Sequence, residues 1–227
     1  MSTKDTLEVF YKKVSFGWWG LVGSGIVLLS SLISAITYIG RQGELYSPLN
    51  HFVSELGEFG ISPLAHVFNS GLIVGGLLLV FYVVGLGFFF ENIFGMLATI
   101  VGVFSSFCCS AVGIFPMNYV FAHGLAASLF FIAGGITILI FAIAILTQKK
   151  KKVPKYFSFM GVVTVTFVVT MALSALVDTS YSFYNRPDVW FQPALEWAAI
   201  LSVNGWIMWS SIFNLHKHYK LKRLDSI

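Results

Sequence analysis

Six long apolar runs make up most of this chain, and they constrain its fold more than any other feature. Each run is close to or above the roughly 20 residues that an α-helix needs to cross the hydrocarbon core of a bilayer. Because hydrocarbon offers no partners to backbone N–H and C=O groups, each run must be a helix. None shows the ten-residue alternation of a membrane β-barrel strand. We predict spans at approximately residues 17–39, 63–90, 93–115, 120–146, 156–177 and 194–213.

The composition excludes the main soluble classes. Of 227 residues, 57% are hydrophobic and only 11% are charged, whereas a soluble domain carries about 25% charged residues. A water-soluble fold of this length could not cover so much apolar surface. We therefore exclude a soluble enzyme, a disordered chain and a partner nucleic acid, and predict an all-α, polytopic membrane protein with a bundle of six transmembrane helices.

The cations indicate the orientation of the bundle. Twelve of the 14 Lys and Arg residues lie before the first run, between the fourth and fifth runs, or after the sixth. An even number of spans places these three segments on one side, and positive charge marks the cytoplasmic side. We predict a multi-pass protein of the cell membrane with both termini cytoplasmic. Its parts are an N-terminal segment (1–16), the transmembrane domain (17–213) and a basic tail (214–227).

The outer loop between spans one and two carries the first candidate site. Ser47-Pro48 is a helix start signal and Gly57 a stop signal, which predicts a short outer interfacial helix. His51 and Glu55 are four residues apart and share a face of that helix, with Ser54 adjacent. The three side chains suit nucleophilic or acid–base chemistry. They are equally typical of a solvated helix with one stabilising pair, and both interpretations stay open.

Further polar side chains fall at the same predicted depth. His66, Asn69 and Ser70 occupy one stripe of span two, and we expect them to face the bundle or a polar cavity rather than lipid. His123 opens span four. Each histidine could be a functional residue or a hydrogen-bonded core residue.

Three charged residues near spans five and six are candidate substrate-binding residues. Asp178 ends span five, where the helix dipole disfavours an anion, so it needs a partner, and Arg186 is the nearest cation in the sequence. Glu196 opens span six, where the dipole favours a carboxylate. For Glu196 a structural role and a site role are both open.

These histidines and carboxylates raise the question of a metal. His51, His66, His123 and Glu196 are residue types that bind zinc, but no diagnostic ligand motif is present. A b-type haem held between His66 and His123 is a weaker alternative. Zinc is therefore an open cofactor and haem a disfavoured one.

Two stretches and one short motif resemble a known family. They are Tyr46–Gly57 (YSPLNHFVSELG), Ser62–Leu72 (SPLAHVFNSGL) and Gly113–Pro116 (GIFP) with His123. The sequence resembles the bacterial and archaeal membrane family called domain of unknown function 998, which is distantly similar to the FGF-receptor-activating/DRAM/Sfk-type membrane proteins. The resemblance implies about six spans and no established activity, and it emphasises His51, Ser54, Glu55, His66, Asn69 and His123. Some of the distant relatives are linked to lipid or GPI-anchor remodelling, which makes membrane lipid the expected partner.

These observations leave several functions open. One is a lipid hydrolase or acyl transferase, with or without a metal, in which Ser54 is the nucleophile, His51 or His66 the base or ligand, and a carboxylate the acid. Another is a protein that binds a lipid or serves as a structural accessory. A transporter or channel is the third, although the middles of the spans carry no charged side chain, which counts against ion-coupled transport. The oligomeric state and protein partners cannot be predicted.

Overall fold

The computed structural model describes residues 3–177 and 182–224, and the regular elements of that part are all helical. Seven α-helices and two short 3-10 helices, Val53–Gly57 and Met117–Tyr119, make up the fold. The α-helices are α1 (Thr3–Lys13), α2 (Phe16–Ile36), α3 (Ala65–Phe90), α4 (Ile93–Ile114), α5 (Val120–Leu146), α6 (Tyr156–Val177) and α7 (Phe191–Leu224).

Helices α2 to α7 are the six that are long and apolar enough to cross a membrane, which confirms the predicted all-α class and number of spans. The helix ends agree with the predicted spans except in the first and last. Helix α2 ends at Ile36, and α7 continues to Leu224. This continuation has a local cause, since residues 214–224 contain no Gly or Pro, and Lys222 and Arg223 lie at the C-terminal end, where the dipole favours cations.

The six spanning helices form a closed ring in chain order. Each packs against the helix before it and the helix after it, and α7 returns to pack against α2. Two hydrogen bonds join the first and last spans: Ser15 Oγ donates to Asn214 Oδ1 at 2.5 Å, and Trp18 Nε1 donates to the Tyr219 hydroxyl at 3.1 Å. The ring therefore has a central axis to which all six spans have access.

Glycines allow the closest approach among α2, α3 and α4. A Cβ at Gly71 of α3 would overlap the side chain of Ser30 on α2, and one at Gly76 would overlap Ser110 and the backbone of α4. Small residues let backbones approach closely where no hydrophobic effect drives helices together in lipid. This half of the ring is accordingly fixed by backbone-to-backbone fit.

The segment between α2 and α3 differs from the predicted outer helix. Residues 48–51 form a turn, and 3-10 backbone covers Val53–Gly57. Phe52 is extended between the two, because its N–H donates to Glu55 Oε1 at 2.7 Å and the helix begins anew after it. Val53, Glu55, Leu56 and Gly57 are buried, so the short helix packs into the end of the ring instead of presenting one face to solvent.

Candidate functional site

Two loops cover one end of the ring and interlock there; we call this end the loop end. The α2–α3 loop supplies Asn50, whose Nδ2 donates to Pro187 O at 3.0 Å, and Leu49, whose carbonyl accepts from Trp190 N at 2.8 Å. Gln42 Nε2 donates to Tyr184 O at 3.1 Å. The described part of the α6–α7 loop, 182–190, is thus held by backbone and side-chain bonds to the first loop.

An ion pair between Glu55 and Arg186 lies at the centre of the loop end. The guanidinium donates twice to the carboxylate, from Nη1 to Oε1 at 2.9 Å and from Nη2 to Oε2 at 2.6 Å. Glu55 is fully buried and the Arg186 side chain is 7% exposed. Tyr38 donates to Oε2 at 3.2 Å, and Arg186 also donates to Asn50 O at 2.9 Å. Both carboxylate oxygens are therefore engaged by at least two donors.

The electrostatics of these groups follow from burial and the pair itself. Burial, followed by the negative charge of Glu55, raises the pKa of the Tyr38 hydroxyl, so this group stays a hydrogen-bond donor. Burial alone would lower the pKa of Arg186, but the hydrogen bonds and charge of Glu55 outweigh it and raise that pKa. The Arg186 guanidinium therefore stays charged at neutral pH.

His51 is buried beside the pair, with its ring 5.4 Å from that of Tyr38 and 5.1 Å from that of Tyr46. Its Nδ1 lies 2.7 Å from Asn50 Oδ1 and 3.3 Å from Ser47 N. Nε2 is buried without a hydrogen bond, 3.7 Å from Glu44 Oε1. Burial and the nearby Arg186 charge lower the pKa of His51, so the neutral ring is favoured.

Glu196 connects α7 to the short 3-10 helix. Its Oε2 accepts from Val53 N at 2.7 Å, at the first residue of that helix. The bond satisfies a free N–H at a helix start, as a capping side chain does. The next residue of α7 is Trp197, whose Nε1 donates to the Tyr46 hydroxyl at 2.7 Å. Glu196 thus belongs to the loop end, where it positions the backbone of the 3-10 helix.

The remaining predicted residues lie apart from this centre. Asn69 is buried and its Nδ2 donates to Gly57 O at 2.9 Å. His66 and Ser70 are exposed, and the His66 ring contacts that of Phe59 in a tilted arrangement with centroids 4.7 Å apart. The expected common inward face is wrong for these two, because the stripe that packs inward contains Asn69 and its neighbours Ala65, Phe68 and Leu72.

His123 and Ser54 show no catalytic geometry. The Nδ1 of His123 is paired with Phe115 O at 2.8 Å, across the α4–α5 turn. Ser54 is half-buried, and within residues 3–177 and 182–224 no hydrogen bond joins its hydroxyl to a histidine or carboxylate. Asp178 lies outside the described residues, and Arg186, the nearest cation to it in the sequence, pairs with Glu55.

The zinc hypothesis lacks a preformed site in this part of the chain. Among the described residues, no group of three or more His, Cys, Asp or Glu side chains could hold a metal ion. The His66 ring contacts that of Phe59, whereas His123 Nδ1 is paired with Phe115 O. The two histidines thus have different neighbours and do not form a pair of haem ligands.

Sequence reasoning missed four residues of the loop end: Tyr38, Arg41, Tyr46 and Glu58. Arg41 forms an ion pair with Glu58 and lies over the rings of Phe183 and Tyr184. The pairing had a signal, because a buried acid needs a cation, and the segments at the loop end carry only two, Arg41 and Arg186. Tyr38 had none beyond its position at the end of predicted span one, and Tyr46 had only its place in the stretch that carries the family resemblance.

A second feature lies inside the ring, at about half the depth of the spans. A cavity of about 70 Å³ is bounded by residues of every spanning helix. One from each helix is Val27, Val83, Cys109, Phe131, Val168 and Asn204. Its polar members are hydrogen-bonded within the protein: Thr137 Oγ1 donates to Ala133 O at 2.7 Å, Asn204 Nδ2 to Ile200 O at 2.9 Å, and Ser105 Oγ across to Phe130 O at 3.0 Å. The walls are therefore effectively apolar.

Comparison with known proteins gave one match. The family model described as "Protein of unknown function (DUF998)" matches residues 21–212, from within α2 into α7. No curated protein and no solved structure matched the chain. The more distant likeness to FGF-receptor-activating/DRAM/Sfk-type proteins stays a prediction.

Proposed function

We propose a function for this chain, which belongs to the DUF998 family of proteins of unknown function: it binds a membrane lipid and holds part of one apolar chain in the central cavity. The cavity carries the proposal. Its walls come from all six spans and are almost wholly apolar. Water in such a space would lack the two to four polar partners that it needs, whereas a hydrocarbon chain would restore missing dispersion contacts.

The loop end has a positioning role in this proposal. Glu55 and Arg186 satisfy each other and bind the two loops together, and Glu196 caps the 3-10 helix. These contacts close the ring above the cavity and keep a bound chain from water. The paired state of Glu55 and the absence of a base bonded to Ser54, within the described residues, favour binding over hydrolysis or acyl transfer. We place this end on the outer face of the cell membrane, as the cation distribution predicts.

The test compares two adjacent valines of α6. Val168 is buried and lines the cavity, whereas Val169 is 48% exposed on the outside of the ring. Both substitutions to Phe add the same volume, so Val169→Phe is the matched control. Each full-length variant is extracted in mild detergent, exchanged extensively to remove loosely bound lipid, and analysed for retained lipid per protein by mass spectrometry.

We expect Val168→Phe to retain several-fold less lipid than the wild type and Val169→Phe to retain the wild-type amount. Circular dichroism and gel filtration verify that both variants are folded. If a folded Val168→Phe protein retains as much lipid as Val169→Phe, the cavity does not hold a lipid chain and the proposal is wrong. Should Val168→Phe not fold, Val203→Phe adds volume to the same cavity from the neighbouring helix α7.

A further inference from the structure

Two lysine side chains converge on one aromatic ring at the end of the bundle opposite the loop end. Lys152 Nζ lies 5.4 Å and Lys217 Nζ lies 5.1 Å from the ring centroid of Phe89, near the end of α3. Lys152 donates to Phe89 O at 2.7 Å, and Lys217 donates to Lys152 O at 3.2 Å. The α5–α6 loop and α7 thus bring two ammonium groups to a single place.

The positive charge of this pair is only partly balanced. Glu91 Oε2 lies 3.0 Å from Lys152 Nζ, but the Glu91 side chain is 74% exposed, so solvent screens the interaction. In the described part of the chain no carboxylate forms an ion pair with Lys217. Each ammonium has three donors, and the contacts above leave at least one unused on Lys152 and two on Lys217.

This arrangement differs from the solvated lysines that usually flank a span. Lys149, Lys150 and Lys151 are exposed, whereas Lys152 and Lys217 are half-buried and fold back onto the protein. Two ammonium groups held against one ring repel each other, and the exposed carboxylate of Glu91 offsets that repulsion only in part. The site also lies where the apolar part of the bundle ends, since Phe89, Val153 and Phe213 line a small apolar cavity next to it.

We infer that Lys152 and Lys217 bind the phosphate group of an anionic membrane lipid. A phosphate monoanion accepts several hydrogen bonds from ammonium groups, and lysine binds it as a point charge. The depth favours a lipid headgroup over free phosphate, because juxtamembrane lysines face the headgroup layer. The site lies at the other end of the ring from the loop end, and it does not require an occupied central cavity.

The experiment uses the full chain in nanodiscs of phosphatidylcholine, with increasing fractions of phosphatidylglycerol, and follows thermal unfolding. The test variant is the double substitution Lys152→Gln and Lys217→Gln. The control is Lys149→Gln with Lys151→Gln, which removes the same charge from exposed positions of the same loop. We expect phosphatidylglycerol to stabilise the wild type and the control, and the test variant to need about tenfold more of it or to show no response.

A third variant, Glu91→Gln, removes the exposed carboxylate that competes for Lys152 and carries little risk to folding. It should respond to less phosphatidylglycerol than the wild type, which keeps the inference testable if the double variant does not fold. Equal losses in the test and control variants, or an unchanged response of Glu91→Gln, would mean a diffuse basic surface and overturn the site.

Inorganic phosphate is added in a parallel arm in phosphatidylcholine alone; stabilisation there as strong as by the lipid would overturn the headgroup assignment. Lipid retention by Val168→Phe is independent of these outcomes, so the two proposals can fail separately.

Discussion

At the scale of single residues, the buried pair of Glu55 and Arg186 decides how the loop end is held. Desolvating two charges is costly, so such a pair contributes little net stability compared with apolar residues of the same size. Removing one partner is different, because it leaves the other charge buried without compensation. The pair therefore acts mainly on specificity: it fixes the position of the α2–α3 loop against the α6–α7 loop.

We predict that Arg186→Met alone, or Glu55→Leu alone, destabilises the protein by about 3–5 kcal/mol, and that the double variant loses much less than the sum. Thermal unfolding in a fixed detergent gives the ranking, and the double-mutant cycle gives the coupling between the two side chains. Glu91→Gln serves as the control, since its exposed pair with Lys152 should be worth about 0–1 kcal/mol. Additive losses in the double variant would contradict a direct, buried coupling.

The sequence predicted some of these residues better than others. Their placement after or before a predicted span was sufficient to gather His51, Glu55, Arg186 and Glu196 at one end of the bundle. Which face a helical residue takes depends on the rotation of the helix, and a helix that is apolar all round carries no amphipathic signal for it. For that reason the prediction that His66 faces inward was wrong, while the same prediction for Asn69 agrees with its burial.

At the scale of elements, close contacts at glycines fix how α2, α3 and α4 pack together. A glycine in close contact can be compared with a glycine that faces open space. Gly76 of α3 has no room for a Cβ against Ser110 and the α4 backbone, whereas Gly25 of α2 faces open space. We predict that Gly76→Ala destabilises the protein by about 1–3 kcal/mol through overpacking. Gly25→Ala should be neutral, or stabilising by up to about 1 kcal/mol from helix propensity.

The two alanine variants are compared by thermal unfolding under identical detergent conditions. A Gly76→Ala protein as stable as Gly25→Ala would show that α3 and α4 can separate at no cost, and the close packing would then not fix this side of the ring. The glycine spacing in α3 and α4 was visible in the sequence as small residues at steps of three and four. The sequence did not show which partner helix each glycine faces, because that depends on the order of the helices around the ring.

The short element between α2 and α3 shows where local signals are insufficient. Ser47-Pro48 and Gly57 indicate a helix start and stop, yet the backbone forms a turn and then a 3-10 helix. Two carboxylates decide this, one local and one distant: Glu55 binds the N–H of Phe52, and Glu196 of α7 binds the N–H of Val53. A contact between residues 143 positions apart cannot be found from local propensity.

At the scale of the whole molecule, the ring explains why an apolar chain can contain a cavity at all. Six helices that pack mainly against their ring neighbours leave a space on the axis, and the aromatic cluster of Phe16, Tyr82, Phe141, Phe157 and Trp206 fills the half away from the loops. The other half of the axis is closed by the loops and the 3-10 helix. Counting spans and cations predicts the number of helices and the side of the termini, but not that α7 would return to α2.

Both proposed sites depend on the orientation of the protein in the membrane. Asp188 is exposed in the α6–α7 loop, Lys150 is exposed in the α5–α6 loop, and the native Cys108 and Cys109 are buried. The positive-inside rule predicts that a membrane-impermeant maleimide labels Asp188→Cys in intact cells. Lys150→Cys should be labelled only after permeabilisation, and the unsubstituted protein gives the background. The reverse pattern would place the lysines outside, in spite of twelve cations at that end of the bundle. The headgroup site would then face a leaflet with less anionic lipid, and the loop end would lie in the cytoplasm, so the labelling result decides which leaflet supplies each ligand.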